Sequence, residues 1–122
     1  MNTTHETPWH EALYWINKYP TTGSAIGLAK LVLSFYNGSG YPFSFADCTS
    51  SFDSDRSALA CRMVAWYLEH GEDDNLREVG KEIWNQYPRL TQLGEAANRA
   101  MSDLREQWRD EDNAKLELEE DL

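Results

Sequence analysis

Two cysteines, three histidines and four prolines are all that 122 residues contain of these types, and each scarcity removes a class of protein. Cys48 and Cys61 form no C-x-x-C pair, which argues against both a disulfide-stapled scaffold and a thiolate zinc site. His5-Glu6 and His10-Glu11 look like fragments of a zinc-protease motif. A helix needs a second histidine four positions after the first to aim both rings at one metal, and Trp9 and Tyr14 stand there instead. Gly23 and Gly27 belong to no G-x-x-x-x-G-K-[ST] or G-x-G-x-x-G loop, so no phosphate cradle is expected. Bases are outnumbered, 11 against 21 acids, for a net charge of -10. That balance repels nucleic-acid phosphates and argues against direct DNA or RNA binding. The apolar stretches are too short to span a bilayer, and the first eleven residues lack the basic and apolar regions of a signal peptide. The expectation is a cytoplasmic chain with no membrane contact, no metal and no cofactor.

What is abundant is aromatic and aliphatic surface: five Trp, six Tyr and four Phe within a 41% hydrophobic composition. This suffices for one ordinary core, and the length suits one domain. The most apolar stretch lies between Thr22 and Asn37 and carries a single charge, Lys30. Ala25, Leu28, Ala29, Val32 and Tyr36 recur on one helical face, and Ile26, Leu31, Leu33 and Phe35 fill the rest. A helix apolar nearly all round is buried on most sides, so it is read as the central helix that others wrap.

Around it, Thr7-Pro8 signals a helix start, and Trp9, Ala12, Leu13, Trp15, Ile16 and Tyr19 follow before Pro20 stops the helix. Residues 39–52 are irregular. Phe43 and Phe45 are expected to plug the core, with one helical turn at residues 45–49. Asp53 or Ser54 caps a helix that ends at His70-Gly71, with Leu59, Met63 and Trp66 on one face and Ala58, Cys61, Ala65 and Leu68 beside them. Asp73 or Asp74 caps the next helix, whose stripe is Leu76, Val79, Ile83, Trp84 and Tyr87 up to Pro88. A last helix begins near residues 89–91 and keeps a nearly heptad stripe from Leu90 to Trp108. The reading is all-α: a single-domain bundle of about five helices, residues 1–109, followed by an acidic tail, residues 110–122, that is frayed helix or disordered.

Three candidate chemistries fall to simpler readings. Cys48 lacks a nearby base to form thiolate, and Asp47 opposes one, so it is expected to be a small buried hydrophobe. Cys61 is expected in the core. The D-S-D-R-S run from Asp53 lacks the glycine and glutamate of a calcium loop. Glu69, Glu72, Asp73 and Asp74 are read as helix caps and solvated charge rather than as an acid/base pair.

The charge distribution is what remains. Residues 1–70 hold six acids and four bases, net -2, whereas residues 71–122 hold fifteen acids and seven bases, net -8. Asp74, Glu78 and Glu82 repeat every four residues on the polar face of their helix, an arrangement of like charges that costs a few tenths of a kcal/mol per pair. The candidate partner-binding residues are therefore Glu72, Asp73, Asp74, Glu78 and Glu82, with Asp110, Glu111 and Asp112 from the tail as auxiliaries.

Thr22-Gly23, the apolar run from Leu28 to Phe35, Tyr36-Asn37, the loop from Phe43 to Asp47 and the aspartate-started helix from Asp53 to Leu68 together set a pattern. It resembles a family of short uncharacterised helical proteins carried on plasmids, phages and integrated elements of Gram-negative bacteria. That family has tryptophan where this chain has Tyr36. The resemblance spans about 50 of the 122 residues; it implies a helical fold and a mobile-element setting and carries over no functional residue. In that setting, the acidic half suggests a non-enzymatic protein-binding protein: an inhibitor of a host defence complex, anti-CRISPR or anti-restriction, that binds a basic, nucleic-acid-binding surface. The alternative is a self-associating structural or accessory subunit that pairs through its last helix. A cryptic enzyme built on the Cys48 loop ranks below both.

Overall fold

The computed structural model describes residues 7–120; expectations for Met1–Glu6, His5 among them, and for Asp121 and Leu122 lie outside the described residues. Six helices are present among these: α1 (Pro8–Lys18), α2 (Gly23–Tyr36), α3 (Phe45–Thr49), α4 (Ser54–His70), α5 (Asp74–Gln86) and α6 (Pro88–Glu120), with no strand. The all-α bundle is thus present, with the single turn α3 as a sixth element.

Local chemistry sets most boundaries. The Thr7, Thr22, Ser44, Asp53 and Asp73 side chains each accept from the backbone N–H three residues on. Each satisfies a donor the first helical turn leaves without a partner. Gly71 closes α4 at φ 66, a left-handed conformation glycine adopts without strain. Pro88 ends α5 and also opens α6, because a missing N–H costs nothing at a first helical position.

α2 is the centre, with α1, α3 and α5 packed on it, α4 laid against α1, and α6 leaving from α5. Ala25, Gly27, Leu28, Ala29, Leu31, Val32 and Leu33 of α2 are buried, each large aliphatic contributing about 1.5–3 kcal/mol. A chain of rings ties α1, α2 and α4: Trp9 to Phe35 at 5.4 Å and Phe35 to Tyr67 at 5.0 Å. The Tyr87 hydroxyl donates to the Pro20 carbonyl (3.1 Å), tying the end of α5 to the α1–α2 turn. Burial raises the phenol's pKa.

α3 sits on α2 at a distance only glycine permits: a Cβ on Gly27 would fall on the Cys48 carbonyl oxygen. α6 crosses the turn after α2 equally closely. A Cβ on Gly94 would stand 2.7 Å from the Gly40 carbonyl oxygen and 2.7 Å from the Tyr41 ring. That turn is held by Gly40 N–H and Tyr41 N–H, which donate to the Asn37 side-chain and main-chain oxygens.

Several expectations are corrected. Tyr41, not Phe45, plugs the core from the loop. Tyr41 is buried, Phe43 half-buried, and Phe45 exposed. On α4 only Leu59, Ala60 and Met63 are buried, while Ala58, Cys61, Ala65 and Leu68 face outward. α4 meets one neighbouring layer, so one of its two apolar faces is left over. Trp84, read into the α5 stripe, is also exposed. The chain shows no break at residue 110, and α6 runs as one helix to Glu120. At 33 residues it is about 50 Å long. Its contact with the body ends near Met101, and every residue from 102 to 120 is exposed.

Candidate protein-binding surface

The eight acidic candidates fall into two groups with different fates. At the start of α5, Asp73 is half-buried and fully engaged. Its carboxylate accepts from the Leu76 N–H and from the Trp66 indole N–H, both at 2.9 Å. Burial pushes its pKa up. The bonds from Trp66, Leu76 and Asn75 and the neighbouring His70 outweigh that and hold it below the usual carboxylate range. The Trp66 ring in turn packs on His70 at 4.3 Å. Asp73 is a structural hub, not a free contact.

Asp74 is paired with the Arg77 guanidinium, which also donates to the Glu72 carbonyl oxygen (2.9 Å). Hydrogen bonding to Asp74 raises the Arg77 pKa. Glu78 lies 3.7 Å from the His10 ring nitrogen of α1. The carboxylates of Glu72 and Glu82 make no ion pair or hydrogen bond among the described residues. The regular row of α5 is thus partly neutralised by Arg77 and His10. Glu72, Glu78 and Glu82 are its exposed acids without a full-time partner.

The second group, Asp110, Glu111 and Asp112, lies on the overhanging half of α6. Residues 102–120 hold eight acids and three bases, a net charge of -5, on a segment exposed throughout. Glu111 accepts a hydrogen bond from Gln107 (3.0 Å); Lys115 has no ion-pair partner among the described residues. No hydrogen bond or ion pair joins the two acidic groups among the described residues.

The apolar residues of the same segment carry the signal that a search for acids overlooks. Leu104, Trp108, Leu116 and Leu118 are 42%, 53%, 57% and 67% exposed. Spacing was the available clue. Leu90, Gly94, Ala97, Met101, Leu104 and Trp108 follow the alternating four-and-three rhythm of a helix-pairing seam, and the rhythm continues through Glu111 and Lys115 to Leu118.

Elsewhere, the α5–α6 junction forms an open groove of about 370 Å³ lined by Tyr36, Asn37, Tyr41, Lys81, Trp84 and Asn85. Cys48 is buried; burial, and then the Asp47 carboxylate, push its thiol up to about 11 against the smaller opposing effect of Lys30. Such a thiol is not a nucleophile at neutral pH. Cys61 is the exposed, free cysteine. Among the described residues no group of three or more His, Cys, Asp or Glu side chains comes together as a metal site, and no helix is long and apolar enough to cross a membrane. In comparisons with protein-family models, curated proteins and solved structures, the chain matches none.

Proposed function

We propose that the protein is a non-enzymatic protein-binding protein that presents acidic helix surface, chiefly the overhanging half of α6, to a basic surface of a partner. One observation carries this reading. Residues 102–120 form helix that packs on nothing within the chain, yet keep large apolar side chains among eight acids. An unpacked helix adds little to its own fold, because an isolated helix of this length is marginal in water. Exposed Leu104, Trp108 and Leu118 add nothing to the core, whereas Trp and Leu are effective anchors in an interface. The surrounding carboxylates favour a cationic partner and would speed encounter with it. Surfaces that bind nucleic-acid phosphates have that charge. The mobile-element resemblance makes a host defence nuclease or CRISPR complex the concrete candidate, located in the cytoplasm.

The test is affinity capture from a Gram-negative host lysate at low and moderate salt, with mass-spectrometric readout. Three baits are compared: the native chain, Asp110→Lys with Asp112→Lys, and Glu78→Lys with Glu82→Lys. A stoichiometric basic partner should be retained at low salt, released by moderate salt and lost with the α6 variant. Retention by the α6 variant and loss with the α5 variant would move the contact to α5. Full retention by both would refute the acidic reading.

A further inference from the structure

We propose that the overhanging half of α6 is covered by the same segment of a second copy of this chain, as an antiparallel two-stranded coil centred on Asn113. The seam itself supports this. Its first half, Leu90, Gly94, Ala97 and Met101, is buried or half-buried against the chain's own body. Its second half, Leu104, Trp108, Glu111, Lys115 and Leu118, continues the same rhythm into solvent. A helix stripe seated for half its length and bare for the rest is suited to a second helix.

The two charges inside the seam select the occupant. An apolar partner groove would leave Glu111 and Lys115 desolvated and without a counter-charge, which costs more than the apolar contact gains. A parallel, in-register copy would set Glu111 on Glu111 and Lys115 on Lys115. An antiparallel copy brings together residues whose numbers sum to about 226. Trp108 then meets Leu118 of the other strand, Glu111 meets Lys115, and both matches occur twice by symmetry. On the flank, Arg105 approaches Glu119, and the small Ala114 lies near the two-fold axis. One like pair, Asp112 with its own copy, opposes the arrangement. The overlap begins after the last residue that packs on the body, so the two bodies sit at opposite ends. Asp103, Glu106, Asp110 and Glu117 remain on the outside of the coil.

This inference concerns the chain alone, and its failure leaves the acidic-docking reading untouched. The test is sedimentation equilibrium of the purified full chain from about ten to several hundred micromolar, a range that resolves weak dimers. The native chain should form a dimer. Trp108→Ala, Glu111→Lys and Lys115→Glu should each weaken it at least about tenfold. The double swap, Glu111→Lys with Lys115→Glu, should restore it, because only antiparallel pairing exchanges the two charges. All these positions are exposed, so the folded body serves as an internal control. A native chain that stays monomeric overturns the proposal, as does a dimer indifferent to Trp108→Ala. Single swaps that weaken a dimer the double swap fails to restore overturn the antiparallel register.

Discussion

Asp73 does three jobs with one carboxylate: it caps α5, holds the Trp66 indole, and through that ring positions the end of α4. Asp73→Ala should cost about 1–2 kcal/mol at pH 7, measured by urea unfolding, as lost caps typically do. The pH dependence has a definite sign. The folded-state pKa lies below the ordinary value of 3.8. The carboxylate's contribution is therefore present in full above the ordinary range and is lost as pH falls through the lower, folded value. The gap between native and Asp73→Ala stabilities should narrow below about pH 4. The two cysteines give a sharper contrast. Cys61 should react with a thiol reagent in the native protein, whereas Cys48, buried with its thiol near 11, should react only after denaturation. Caps are legible in sequence because they depend on two or three adjacent residues. Thr7, Thr22, Asp53 and Asp73 could all be read off directly. The exposure of Cys61 could not, since it depends on which face of α4 meets α1.

Among the elements, α2 is readable because it is apolar nearly all round, so no choice of face arises. α4 offered two apolar faces and the pattern alone did not rank them. Gly27 shows how a single residue sets an element's position. Gly27→Ala forces a methyl onto the Cys48 carbonyl, which should destabilise the fold by about 1–3 kcal/mol. By lifting α3, it should also make Cys48 reactive in the folded state. The end of α6 was illegible for the opposite reason. No Gly or Pro follows Gly94 to mark a stop, and acidic residues are compatible with both helix and coil. Deleting residues 103–122 should remove far-UV helical signal and leave the unfolding midpoint of the body nearly unchanged, because none of the described residues removed is buried.

At the scale of the whole molecule, the chain divides into a packed body and a projecting acidic rod. The net charge of -10 is read most simply as solubility. Its concentration on an exposed helix that also carries Trp108 and Leu118 favours a docking role. The sequence located the acidic half correctly but not its division: the carboxylates of α5 are drawn into caps and pairs with Arg77 and His10, while those of α6 stay free of such ties. Partner capture should therefore weaken with salt and depend on α6 more than on α5.

Hydrogen exchange read by mass spectrometry, at low and high protein concentration, tests the central claim most directly. Amides of residues 104–118 should exchange within the unprotected range when dilute and become protected as concentration rises, while α2 amides stay protected throughout. Strong protection of residues 104–118 that does not change with concentration would mean that the segment packs within its own chain, and would contradict the account.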